Sequence, residues 1–171
     1  MQKKRPERND FPKIVLISHS VIDKPMANYT IEHITQFNPE HVAPIADMLA
    51  QLTGRDCPFG KDELRTLIEN SASQLFLLHA DSEVVGMLTL GRYSSPTGVK
   101  VWVEDVVVKS DYRGEGLGRR LVDHAIEYCK ANYAPCTLML TSNPARAAAN
   151  ELYRTSGFEP KQTNVYKMNF K

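Results

Sequence analysis

The chain has 171 residues, 21 Lys and Arg against 20 Asp and Glu, a formal net charge of +1 and 42% hydrophobic residues. That composition suits one globular domain able to bury about 70% of its extended-chain surface. A charge so near zero supplies no long-range field for a polyanion, which argues against nucleic acid as the main partner. No window approaches 18 apolar residues, so nothing reads as a membrane span, and the run Ile14 to Ile17 is too short for a signal segment. The expected location is the cytoplasm. Cys57, Cys129 and Cys136 are odd in number and lack ligand spacing, so they read as small hydrophobes and not as disulfides or zinc ligands. The five histidines form no metal-binding pair, and no metal is expected.

Residues 1–25 hold six of the basic and three of the acidic residues, with Pro6, Pro12 and Pro25 interrupting any helix. They read as a dispensable leader, and the functional domain is placed at 26–171. In chain order, Tyr29 to Thr35 alternates apolar and polar residues as a half-buried strand does. Val42, Ile45, Ala46, Leu49 and Leu52 recur at helical spacing after Asn38-Pro39, and Leu64, Leu67 and Ile68 mark a second short helix after Gly60. The β-rich runs 74–80 and 84–93 flank Asp81-Ser82-Glu83 as a hairpin, and Ser94 to Gly98 is a further turn. Val99 to Lys109 is the longest strand candidate, with Trp102 read as a core aromatic. An amphipathic helix bearing Leu117, Leu121, Val122, Ala125, Ile126 and Cys129 follows. Thr137 to Thr141 is a strand, Ser142-Asn143-Pro144 caps a helix running through Leu152 and Tyr153, Gly157 ends it, and Val165 to Phe170 alternates as a last strand. Alternating periods of this kind predict a mixed sheet with helices on both faces.

Between the long strand and its helix, Gly114, Gly116 and Gly118 fall within five residues of a chain with only nine glycines. A strand that passes through such a turn into a helix leaves backbone N–H groups unpaired at the positive end of the helix dipole. Glycine lets an anion reach the main chain, and Arg113, Arg119 and Arg120 add positive charge. A Walker A loop would need Lys and Ser or Thr after the last glycine, and a dinucleotide fingerprint would need GxGxxG with an acid further on. Neither pattern is present.

The stretch V-E-D-V-V-V-K-S-D-Y-R-G-E-G-L-G-R-R-L at 103–121 resembles the central motif of the GNAT superfamily of N-acetyltransferases. E-L-Y-R-T-S-G-F at 151–158 resembles its second signature, and the element order from Tyr29 to Phe170 is similar to the family's. The resemblance implies an α/β (α+β) fold with a mostly antiparallel sheet of six to seven strands, splayed between the fourth and fifth, and helices on both faces. It implies acetyl-CoA as co-substrate. The central stretch is also similar to glucosamine-6-phosphate N-acetyltransferases, which makes a sugar phosphate one acceptor among several.

The implied cofactor-binding set is the backbone of Val106, Val107 and Val108 for the pantetheine arm. The turn of Arg113, Gly114, Glu115, Gly116, Leu117 and Gly118, with Arg119, would hold the pyrophosphate. Asn143 and Asn150 would take the role of a family Asn, because Arg146 occupies that position here. Glu104 is the expected base with Asp105 beside it, strand alternation placing the two carboxylates on opposite faces. Tyr153 is the expected acid toward sulfur. A backbone N–H from Val106 to Val108 would meet charge developing on the thioester oxygen. The expected reaction is transfer of acetyl from acetyl-CoA to a primary amine by direct attack in a ternary complex, on a small molecule or a peptide. The loop 53–61 and the final strand would shape the acceptor pocket, and a homodimer is left open. A non-catalytic acyl-CoA-binding module on the same fold is the alternative, disfavoured because Glu104 and Tyr153 are both present.

Overall fold

A computed structural model describes residues 27–170, so the leader expected at 1–25 lies outside the described residues. The sheet order is β1-β2-β3-β4-β5, from β1 (Tyr29–Ile34), β2 (Ser73–Ala80), β3 (Glu83–Ser95), β4 (Gly98–Val108) and β5 (Cys136–Met139). The first four pair antiparallel, while β5 pairs parallel to β4.

The helices begin and end where their local chemistry says they should. Asn38 accepts Glu40 N–H at 2.9 Å, opening the turn that leads into α1 (Val42–Thr53), and Gly54 ends it at φ 71°. Glu63 accepts the N–H of Gly60 at 2.9 Å at the start of α2 (Lys61–Glu69). On the same face of the sheet, Ile45 and Met48 of α1 and Leu64 of α2 bury against Ile34, Leu75, Leu77, Met87 and Val107. The opposite face carries α3 (Leu117–Tyr133), whose Leu117, Leu121, Ala125 and Cys129 pack on Phe76, Leu78, Val85, Leu88, Leu90, Val101 and Val103. Each such fully buried large side chain stabilises the fold by roughly 1.5–3 kcal/mol. Burial pushes the Cys129 thiol up to about 12, so it stays protonated as a packing group. All three cysteines are free.

In its secondary structure and core the molecule differs from the sequence reading at three places. Among the described residues the sheet has five strands, not six to seven: residues 159–170 carry no regular secondary structure, and Val165, Tyr166, Met168 and Phe170 are 72–89% exposed. Alternation gives that segment an apolar face, but a strand also needs a ladder partner, and this one has none among the described residues. Trp102 is half-buried and belongs to neither core cluster. The last helix, α4 (Ala147–Thr155), starts later than the Ser142-Asn143-Pro144 cap suggested. Asn143 instead accepts Ala145 N–H at 2.8 Å in a turn that precedes the helix.

Candidate active site

β4 changes phase in its middle. Val101 and Val103 point into the α3 core, as do Val106 and Val108, whereas Val107 points into the α1/α2 core. Three residues separate Val103 from Val106, so one extra residue has been absorbed. The register with β3 shows it directly, stepping from Thr89↔Glu104 to Met87↔Val107. Asp105 has φ +50°, a left-handed conformation that Asp tolerates better than most side chains. Strict alternation therefore fails where it was used to place the two carboxylates. Glu104 shares the α1/α2 face with Thr89 and with Trp102 two residues earlier, and Asp105 is the inserted residue of the bulge.

Both carboxylates reach solvent, and neither is paired with a cation or bound to a donor among the described residues. Crowding by the surrounding protein raises the pKa of each, and the charge of Asp105 raises that of Glu104 further. An unpaired carboxylate with a raised pKa is better matched to proton transfer near neutrality than an ordinary one.

The outer edge of β4 is covered only in part. β5 pairs with Val99 to Trp102 and no further. Toward β3, Lys109 N–H donates to Val85 O at 2.8 Å, which puts Val107 in the next hydrogen-bonded pair, with Met87. Trans peptides point C=O and N–H in opposite directions, so Val106 O and Val108 N–H face the open side. No described residue bonds either.

Past β4 the chain turns at Gly114 (φ +85°) and Gly116 (φ +76°), and a Cβ at either would meet nothing within 4 Å. These glycines are demanded by backbone conformation, and they leave the approach to the main chain clear. Gly116 caps α3 without a side-chain bond, and the first amide with a helical partner is that of Arg120, to Gly116 O at 3.1 Å. The amides of Leu117, Gly118 and Arg119 are left to face a ligand at the positive end of the helix.

The arginines divide the work. Arg113 donates from Nε to Val108 O at 3.1 Å. Arg119 bonds Thr155 O at 3.0 Å, Ser156 Oγ at 3.1 Å and Thr155 Oγ1, fastening α3 to the end of α4. Arg120 reaches Tyr29 O at 2.5 Å, and the Tyr29 hydroxyl bonds Glu115.

On α4, Tyr153 is half-buried beside Phe158, edge to face with centroids 6.2 Å apart. Burial raises its pKa, a shift that Arg146 opposes, so the phenol remains protonated at neutral pH. Asn150 donates to Asn143 O at 2.9 Å and to Arg146 O at 3.0 Å, which builds the turn before α4. Arg146 itself donates to Leu52 O at 2.9 Å, at the carbonyl end of α1. Thus the end of α1, the open half of β4 and α4 converge. Sequence reasoning missed Gln51 of α1, whose side chain bonds Val108 O and Ser110 N–H, each at 3.0 Å. Nothing in its sequence context marks it. The bulge did leave a signal, since the valines change parity from 99, 101 and 103 to 106 and 108.

A mixed sheet that opens beside its fourth strand, and then delivers an anion-binding turn to a helix N-terminus, is the architecture of the N-acetyltransferase fold. The chain belongs to the acetyltransferase (GNAT) family, whose profile matches residues 43–158. It is 30% identical over 91 residues to streptothricin acetyltransferase A of Bacillus subtilis (strain 168), covering 53% of this chain and 50% of that protein. The match thus spans about half the length of that relative. Among solved structures, an aminoglycoside acetyltransferase from an uncultured soil metagenomic sample superposes with a TM-score of 0.74 at 13% identity, covering 84% of this chain and 97% of the other. A protein described as a transcriptional regulator from Bacillus halodurans C-125 gives a TM-score of 0.70 at 26% identity over 84% and 100% of the two chains.

Proposed function

We propose that the protein is an acetyl-CoA-dependent N-acetyltransferase that acts on a primary amine by direct attack in a ternary complex. The observation that carries this reading is the open half of β4. It places an unpaired carboxylate, Glu104, on the same strand as a free main-chain edge at Val106 to Val108, immediately before an anion-binding turn. The fit to acetyl-CoA rests on the unbonded amides of Leu117, Gly118 and Arg119 and on the unobstructed glycines beside them. These groups suit a pyrophosphate, while Val106 O and Val108 N–H suit one amide of the pantetheine arm. Arg113 remains able to face the phosphates through its terminal nitrogens, since only Nε is taken by Val108. Arg119, Asn143 and Asn150 support the site by holding α4 in place.

When bound, acetyl-CoA supplies an activated acyl group: the amine forms a C–N bond at the thioester carbon, the C–S bond breaks and the thiol departs. Of the three protons on the incoming ammonium, one stays in the amide product. Glu104 takes the second and passes it to solvent. Tyr153 protonates the departing sulfur and is restored by the third. A backbone N–H of the Val106 to Val108 stretch that the pantetheine arm leaves free is the donor to the charge developing on the thioester oxygen, a contact worth about 100 to 1000-fold in rate.

Two unpaired carboxylates with a half-buried Trp102 on the Glu104 face favour a cationic small-molecule amine. Streptothricin and aminoglycosides, for which the two similar acetyltransferases are named, are candidates of that kind. Thiol release from acetyl-CoA across polyamines, amino sugars, aminoglycosides, streptothricin and N-terminal peptides tests the reading. Saturable turnover with one class is the expected result. Tight acetyl-CoA binding without turnover on any amine would make the protein a non-catalytic acyl-CoA module, and failure to bind acetyl-CoA would overturn the reading altogether.

A further inference from the structure

The geometry points to Gln51 as the residue that sets the register of the pantetheine arm on β4, an inference that rests on the acetyl-CoA reading above. In a parallel ladder, a residue on the neighbouring strand donates its N–H to the carbonyl preceding the residue opposite. It accepts, in its C=O, the N–H of the residue that follows. Gln51 Nε2 donates to Val108 O at 3.0 Å, and Gln51 Oε1 accepts Ser110 N–H at 3.0 Å. The carboxamide therefore stands where a strand residue opposite Lys109 would stand. It does so on the edge that β5 covers at Val99 to Trp102.

The free edge of β4 consequently has two stops. β5 ends the covered half at Trp102, and the Gln51 carboxamide closes the position opposite Lys109. Between them the regular ladder offers one complete amide site, Val106 O with Val108 N–H, opposite Val107. The pantetheine arm carries two amides in series, so without a stop it could pair opposite Val107 or slide to the position opposite Lys109. A slide of one ladder position toward Lys109 would draw the thioester back from Glu104. With Gln51 in place, one amide pairs opposite Val107 and the arm must then leave the strand toward the glycine turn. Val108 O is also taken by Arg113 Nε at 3.1 Å, so both of its lone pairs are occupied and the stop is doubled. Gln51 acts through β4 and touches no reacting atom, so it is a positioning residue.

Residue-resolved amide hydrogen exchange on the full chain tests this without knowledge of the acceptor. In the unsubstituted protein, Ser110 N–H should be protected without ligand, and acetyl-CoA should slow exchange at Val108 by about tenfold or more. The nucleotide half alone, adenosine 3′-phosphate 5′-diphosphate, should protect the amides of 117–119 but not Val108. In Gln51→Leu, Ser110 should exchange about tenfold faster without ligand and become protected by acetyl-CoA but not by the nucleotide half. Gln51→Glu, which keeps the acceptor for Ser110 N–H, should restore the Ser110 protection lost in Gln51→Leu. With an amine found to turn over, kcat of Gln51→Leu should fall about tenfold at unchanged KM for that amine. Ser110 exchange that is the same in Gln51→Leu and the unsubstituted protein, or that ignores acetyl-CoA in the variant, would overturn the register role. Loss of nucleotide-half binding in Gln51→Leu would also overturn it, by showing a general structural defect. An unsubstituted protein that binds neither acetyl-CoA nor the nucleotide half would instead sink the acetyl-CoA reading, leaving a different signature.

Discussion

The two halves of β4 share one strand and serve opposite ends. From Val99 to Trp102 the strand is paired on both edges, with β3 on one side and β5 on the other, and Val101 is fully buried beneath α3. From Val103 onward the outer edge is bare until Gln51, the alternation breaks at Asp105, and two carboxylates stand without partners. The first half satisfies every main-chain group and buries apolar area. The second leaves donors, acceptors and charges unsatisfied, which costs stability unless a ligand uses them. A single bulge, one residue long, is enough to switch a strand from scaffold to site.

Glu104→Gln should break this contrast most strongly on the functional side. Removing a general base typically costs about 100 to 10,000-fold in rate, and the loss should appear in kcat at neutral pH with an active amine. The variant should be no less stable than the unsubstituted protein. A carboxyl with a raised pKa is disfavoured as an anion in the fold, so its charge contributes no stability at neutral pH for the amide to lose. A thermal melt showing a large drop for Glu104→Gln would place its role in the scaffold. Tyr153→Phe should follow with about a 100-fold fall in kcat and little change in acetyl-CoA affinity, measured by calorimetry. Unchanged kcat would remove Tyr153 from the chemistry and leave it as a packing partner of Phe158.

Val101→Ala tests the other half. It leaves a void in the core between the sheet and α3, with an expected loss of roughly 2 kcal/mol in denaturant unfolding. At temperatures where the variant stays folded, kcat should be unaltered. A kcat loss at Val101 as large as that at Glu104 would mean the two halves are not separable.

Much of this was legible in the residues. The first five strands and the four helices in chain order, and the glycine turn, follow from period and punctuation, because each depends on local chemistry: Asn38-Pro39 before α1, Gly60 before α2, and three glycines ahead of α3. What was not legible depends on partners distant in sequence. The final strand needed a ladder that Val165 to Phe170 cannot supply alone. Trp102 looked like core, but it is half-buried and packs into neither core cluster, because its cover must come from elements distant in sequence. Arg119 was read for its charge at the glycine turn, and its bond to Thr155 O, 36 residues later, was not legible. Gln51 reaches across 57 residues to Val108.

Asp105→Asn gives the smallest and most specific effect. Asn tolerates a left-handed backbone as Asp does, so the bulge should persist and the fold should be retained. What changes is the charge beside Glu104. Crowding is the larger cause of the raised Glu104 pKa, and repulsion from Asp105 is the second. Removing that repulsion lowers the Glu104 pKa without returning it to the ordinary value. Activity that depends on ionised Glu104 falls as pH drops through that pKa, so the acid limb of the kcat/KM profile should move to lower pH in Asp105→Asn while the plateau rate changes little. A limb that stays in place would show that the acid-side titration does not belong to Glu104. A collapse of the plateau with an unshifted limb would hand the base role to Asp105 and overturn the claim that the inserted residue of the bulge is only a neighbour.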